Sequence, residues 1–243
     1  MSPARRVLFI GAVVCVAGAA VTLGRWQLRR LAARRASNAV LLAARARPPL
    51  ELPADLRAGT PIDSGRRVVA HGRFDPRDQL ILRGRAQDEA PGLQVVTPFV
   101  LDSGVAVLWV VRGFVPSPDA VTPPDSIPAP ASGEVTIDGL VFATPVTGDT
   151  GKPLLHNGVT TWLRLDRTVL ARRRPGSLDV YLLLAGDAVG PGRLPVVPPP
   201  ELNNGPHLSY AIQWFGIALG ALTFGGLMLW RDGRARPRRP AAP

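Results

Sequence analysis

The sequence predicts a membrane protein in which two transmembrane α-helices, one near each end, flank a β-rich extracytoplasmic domain, a sheet or small barrel with minor helix. Three observations carry this. A charge-free run stands near each end, residues 7–23 and 208–230. The apolar period changes from helical to extended near Arg66. The basic charge collects at the flanks: nine arginines fall in residues 1–50 and five follow Trp230, so the formal net charge of +11 belongs to the flanks and the stretch between is slightly acidic. In order, the chain reads as a cytoplasmic tail (1–6), a first span (7–24), a helical stalk (25–47), the β-rich domain (48–202), an Asn/Pro/His turn (203–207), a second span (208–230) and a basic cytoplasmic tail (231–243).

The first run follows Arg5 and Arg6, and its 17 residues lie at the short end for a bilayer-spanning helix. Ala17-Gly18-Ala19 resembles a signal-peptidase site, which leaves a cleaved export signal as one reading. The helical pattern continues, however, through Gly24-Arg25-Trp26-Gln27-Leu28-Arg29-Arg30-Leu31, with a tryptophan at interface depth and arginines able to reach headgroups. This favours a retained anchor. Two spans put both tails on one side; the arginines of the tails favour the cytoplasm, and a central segment of this length escapes the opposing pull of the stalk. The expected location is the plasma membrane. Pro48 and Pro49 end the stalk, whose arginines read as a solvated charged helix over the membrane surface.

From Val68 the chain breaks into short aliphatic runs, 68–74, 79–83, 94–101, 105–115, 135–142, 160–165 and 180–184, set apart by Gly, Asp and Pro. A short helix or turn is expected at 167–170. The proline-rich segments 116–130 and 191–200 cannot pair as central strands; the first reads as a loop and the second as an extended return to the membrane.

Several function classes are excluded or made remote. A near-neutral domain offers no phosphate-tracking surface, so no nucleic-acid partner is expected; the lipid bilayer is. Cys15 is the only cysteine, which rules out an intramolecular disulfide or thiolate metal site. There is no Gly-x-Ser-x-Gly, His-Glu-x-x-His, Walker or dinucleotide motif, and Asp88-Glu89 reads as a polar turn, so no enzyme and no catalytic residues are expected. His71 and His156 have no metal-ligand neighbour at useful spacing.

His207 stands apart. It follows Asn203-Asn204-Gly205-Pro206 and opens the second span, with Asn203 or Asn204 as the expected cap and Pro206 in the first turn. The positive end of the helix dipole favours its neutral, metal-ligating form. Tyr210 and Trp214 fall on the same side as His207, whereas Gly216 and Gly220 form a Gly-x-x-x-Gly pair on the far side, suited to packing on the first span near Gly11, Cys15 and Gly18. The aromatic stripe fits either an interfacial anchor or the walls of a flat macrocycle site with His207 as axial ligand to its metal.

These motifs together resemble the Surfeit locus protein 1 family, assembly factors for haem-copper cytochrome c oxidase. The resemblance rests on Gly24-Arg25-Trp26-Gln27 with Arg30 and Arg34, on Gly72-Arg73-Phe74 and Val96-Thr97-Pro98, on Val110-Val111-Arg112-Gly113-Phe114-Val115-Pro116, on Trp162-Leu163-Arg164-Leu165-Asp166, and on His207-Leu208-Ser209-Tyr210-Ala211-Ile212-Gln213-Trp214-Phe215. It implies maturation of the catalytic subunit of the oxidase, transient binding of haem a, and the oxidase subunit and haem a synthase as partners. Carried onto this chain, it implies His207 as haem iron ligand, Tyr210, Trp214 and Phe215 around the haem, and Trp26, Gln27, Arg30, Arg112, Gly113 and Phe114 as partner-contact positions. Gly205-Pro206 departs from the family pattern, which runs more directly from Asn to His. A two-span envelope scaffold without a cofactor is the alternative.

Overall fold

The computed structural model describes residues 1–57, 59–102, 104, 106–156, 158–185 and 193–234. Residues 235–243 of the basic tail, residues 191 and 192 of the second proline-rich segment, and Val105 lie outside them. The chain divides into two compact units, residues 1–39 with 202–243, and residues 40–201.

The first unit is a pair of antiparallel helices, the first being most of α1 (Pro3–Ala46) and the second α4 (His207–Arg234). Both are long and apolar enough to cross a membrane. Span and stalk form one unbroken α1: its 44 residues contain no proline after Pro3 and extend about 66 Å at about 1.5 Å per residue.

The second unit is built on nine strands: β1 (Leu50–Leu52), β2 (Arg67–Phe74), β3 (Leu80–Gln87), β4 (Ala90–Leu101), β5 (Val107–Pro116), β6 (Val135–Ala143), β7 (Leu154–His156), β8 (Val159–Trp162) and β9 (Ser177–Leu184). Among the described residues it also holds two short α-helices, α2 (Ala54–Arg57) and α3 (Arg167–Arg173), and a 3-10 turn at Pro76–Asp78. The sheet runs β1-β2-β6-β9-β5-β4-β3-β8-β7, and an added β2–β4 pairing closes β2, β6, β9, β5 and β4 into a five-stranded barrel. Closure needs Gly72: a Cβ there would lie 2.1 Å from the Val100 carbonyl oxygen across the joint.

Strand alternation sorts the side chains into two layers. Val68, Ala70, Phe99, Leu108, Val110, Val141 and Leu182 fill the barrel. Trp109, Val111, Val96, Leu80, Leu82 and Leu183 point outward beneath Leu165 and Leu170, the latter from α3. The central strand β5 is thus buried on both faces, which is why it opens as a continuous apolar run, residues 107–111, before Arg112.

Of the expected sheet or small barrel the structure forms the barrel, and the minor helix at 167–170 is present within α3; Pro116, expected in the loop, instead ends β5 opposite Gly92. β3 and β4 run longer than the sequence suggests, because Asp88 (φ 50°) and Glu89 (φ 64°) make a two-residue left-handed hairpin turn that carries pairing through Pro91 and Gly92. β1 and β7, three residues each, have too little pattern to be read in advance. The segment 193–200 has no regular structure and lies along β5, where the Phe114 amide donates to the Pro195 carbonyl at 2.8 Å.

Candidate functional site

Along α1, the positions withdrawn from the surface are Val13, Ala17, Ala20, Gly24, Gln27, Leu31 and Asn38. Along α4 they include His207, Ala211, Trp214, Ala218, Ala221 and Gly225. Both series step by alternating threes and fours, apart from the seven between Leu31 and Asn38, the heptad spacing that keeps one seam facing a partner helix. The seam is lined by small residues, which let helices approach closely where lipid removes the usual hydrophobic gain. At one level, a Cβ on Gly24 would lie 2.8 Å from the Phe215 ring; at another, a Cβ on Gly225 would lie 2.8 Å from a Val13 methyl.

This corrects the expected packing face. Gly216, Gly220, Gly11 and Gly18 all face open space, and Cys15 is exposed. The side of α4 that meets α1 is instead the His207 side. The Gly-x-x-x-Gly spacing misled because alanines at 211, 218 and 221 permit the same approach, and their heptad register continues through His207 and Trp214, whereas Gly216 and Gly220 fall outside it.

His207 is the first residue of α4, and the Pro206 carbonyl before it accepts from the Tyr210 amide at 3.1 Å. Gly205 takes φ +64° to turn the chain into the helix. The Asn203 carbonyl is fastened to α1 by the Asn38 amide at 3.0 Å and the Arg34 Nε at 3.3 Å. One turn further, His207 Nδ1 lies 2.9 Å from Gln27 Oε1. A carbonyl oxygen only accepts, so Nδ1 is the donor in this contact, which in a neutral imidazole is the tautomer with the lone pair on Nε2. Trp214 and Phe215 are half-buried beside the seam; Tyr210 and Trp26 are each 46% exposed. The structure therefore brings His207, Gln27, Trp214 and Phe215 to one end of the helix pair. Trp26 and Arg30 point elsewhere, with the Arg30 guanidinium 5.5 Å over the Trp26 ring.

Arg112, Gly113 and Phe114 belong to the second unit and are engaged in its fold. Arg112 is the extra residue of a bulge, since pairing passes from Val95↔Gly113 to Val96↔Val111. Its buried guanidinium donates to Thr97 Oγ1 at 3.0 Å, to Gln79 Oε1 at 3.0 Å and to the Pro128 carbonyl at 2.8 Å. Burial without a carboxylate partner in this set lowers its pKa to about 10. Gly113 leaves room for the crossing segment, as a Cβ would lie 2.4 Å from Leu194 Cβ. Asp166, fully buried, accepts from the Thr147 and Gly148 amides at 2.7 and 2.8 Å and caps α3 through Val169; these amide bonds, Thr147 first, hold its pKa down at about 2. The remaining histidines are placed in strands: His71 Nδ1 lies 2.8 Å from Thr136 Oγ1, and His156 ends β7.

A family model described as the SURF1 family matches residues 14–219. The chain belongs to the SURF1 family. Uncharacterized SURF1-like proteins of Mycobacterium bovis and Mycobacterium tuberculosis are each 31% identical over 224 residues, covering 90% of this chain and 81% of theirs. A SURF1-like protein of Monosiga brevicollis is 29% identical over 241 residues, covering 91% of this chain and 87% of its own. The SURF1 match takes in both the Gln27 and the His207 ends of the polar contact across the seam.

Sequence reasoning missed Gln27 as the partner of His207, and Asn38 with Arg34 as the clasp on Asn203. The usable signal was the shared heptad, which places Gln27 and His207 at seam positions of antiparallel helices.

Proposed function

We propose that this SURF1-family chain is an assembly factor for haem-copper cytochrome c oxidase that receives haem a as cargo at the His207 end of its helix pair and assists its insertion into the catalytic subunit. The reading places the tails in the cytoplasm and the β-domain outside the plasma membrane, supported by the arginines of the two tails. Haem a synthase is the supplier and the catalytic subunit the recipient; no chemical step by this chain is involved.

The observation that carries the reading is the hydrogen bond from His207 Nδ1 to Gln27 Oε1. Metal-ligating imidazoles are oriented in this way, with one nitrogen tied to an acceptor and the other aimed at the metal. The donor set fits a macrocycle better than a bare ion: no group of three His, Cys, Asp or Glu side chains that could hold a metal stands among the described residues, while a haem brings four nitrogens and asks for one axial ligand. Trp214 and Phe215, half-buried about two turns further along α4, supply flat apolar surface. Tyr210, half exposed, extends it.

The test is co-expression with a haem a synthase, followed by purification and measurement of haem a retained by wild type and His207→Ala. Loss of most of the haem from the variant is expected. Equal retention removes His207 from the role, and an unchanged a-type haem content in membranes of a deletion strain points instead to a scaffold without a cofactor.

A further inference from the structure

The proposed haem site makes no use of the basic stretch that follows the first span. No Asp or Glu occurs between Met1 and Leu50, yet Arg25, Arg29, Arg30, Arg34 and Arg35 fall within eleven residues of α1. Arg34 is engaged with the Asn203 carbonyl. Arg25, Arg29, Arg30 and Arg35 form no ion pair among the described residues. Arg25 with Arg29, and Arg30 with Arg34, are like charges four residues apart, an arrangement that opposes the helix unless counter-charge arrives from outside it.

Position on the helix says where that counter-charge stands. At about 100° per residue, Arg25 and Arg29 lie within roughly 40° of each other and roughly opposite the seam residues Gly24, Gln27 and Leu31. Their side of the helix also carries Val21 and Leu28, 39% and 40% exposed. The flank with Arg30 carries Leu23 and Trp26, 38% and 46% exposed, and Arg30 stacks on that tryptophan. Arg25 directly follows the charge-free run, and Arg29 and Arg30 stand about 6–8 Å further along the axis, within the depth of a headgroup layer. Arg35, about 15 Å beyond Arg25, stands clear of it.

We propose that Arg25, Arg29 and Arg30 form a binding site for anionic phospholipid in the leaflet at the Gly24 end of the first span. The guanidinium forks take the headgroup phosphate, for which their planar paired donors are suited. Val21 and Leu23, on the hydrocarbon side of Arg25, lie against the acyl chains, and Trp26 sits at the interface. Apolar side chains exposed beside the arginines, at the edge of the hydrocarbon, fit a lipid rather than an acidic protein surface.

The full-length chain is reconstituted into phosphatidylcholine vesicles, and the motionally restricted fraction of spin-labelled phosphatidylglycerol is compared with that of spin-labelled phosphatidylcholine by electron spin resonance. Wild type is expected to prefer phosphatidylglycerol about fivefold, and the preference to fall in 1 M salt. The triple substitution Arg25→Gln, Arg29→Gln, Arg30→Gln is expected to bring the ratio close to one. Arg35→Gln, a charge removed outside the headgroup layer, is expected to leave it unchanged. Should the triple variant fail to insert, Arg29→Gln alone and the salt titration of wild type serve instead. Equal association of both lipids with wild type overturns the proposal, as does a triple variant that keeps the preference, including one that sheds a bound acidic protein while doing so.

Discussion

In the β-domain, Leu108 and Val110 inside the barrel and Trp109 outside it are enclosed completely by other side chains. Along the α1–α4 seam, Ala17, Ala20, Gly24, Ala211, Ala218 and Gly225 bring two helices together with hardly any side chain at all. The difference follows from the solvent each region meets. In water, large apolar side chains stabilise by leaving it, at about 25 cal/mol per Å² of surface buried. In lipid that gain disappears, and close backbone approach with a few polar contacts is left to set the register. The barrel therefore depends on bulk, and the helix pair on its absence, with Gln27–His207 and Asn38–Asn203 fixing one end.

The largest effect expected is all-or-none and tests the seam. In a Cys15→Ser background, Val13→Cys with Gly225→Cys should cross-link nearly completely on oxidation, because an ideal Cβ on Gly225 lies 3.4 Å from Val13 Cβ, close to disulfide geometry. Val13→Cys with Gly216→Cys should not; a gel-shift assay reads both. The reverse yields would return the packing face to the Gly-x-x-x-Gly pair.

The β-domain is tested next. Trp109→Ala removes the largest fully buried side chain and its 2.9 Å bond to Ser177 Oγ, and should destabilise by about 3–5 kcal/mol, read by denaturant unfolding of the detergent-solubilised chain. The V13C/G225C cross-link should survive this change if the helix pair holds by separate means. Arg112→Met is expected to cost roughly 2–3 kcal/mol, by leaving Thr97, Gln79 and the Pro128 carbonyl without their buried donor. A change below about 0.5 kcal/mol would free Arg112 for a role outside the domain.

The smallest effect is with pH. Asp166 is held at about 2, mainly by the Thr147 amide, and Asp75 lies well below the usual carboxylate range, mainly through Arg77, offset in part by burial. A carboxylate with depressed folded pKa stabilises above its unfolded value, near 3.8, and loses that contribution as pH falls through the folded one. Barrel stability should therefore fall between about pH 4 and pH 2, and Asp166→Asn should flatten part of the slope. A slope unaltered by that substitution would assign the acid sensitivity elsewhere.

How far the sequence could be read differs between the two regions for the same physical reason. Charge-free runs and alternating strands are set by solvent, so both spans, the apolar strand around Trp109 and the loop after Pro116 could be read directly. Barrel closure could not, because the β2–β4 joint depends on a backbone approach at Gly72 rather than on any pattern of polarity. At the candidate site His207 was legible from its place at the start of the span. Its partner Gln27 was not, since the face of α4 was assigned from glycines alone, and alanines carry the same license to pack. Gly113 was legible only as a motif; its reason, the crossing of Leu194 and Pro195, lies 80 residues downstream.

The nine-stranded sheet ends on one side in β1 and on the other in β7, each three residues long. Sheet borders are where foreign strands add on, and a border this short offers an incoming chain only a bond or two. For a protein proposed to work among unassembled subunits, that economy matters: it can stand beside unfinished polypeptides without being drawn into their strand pairing.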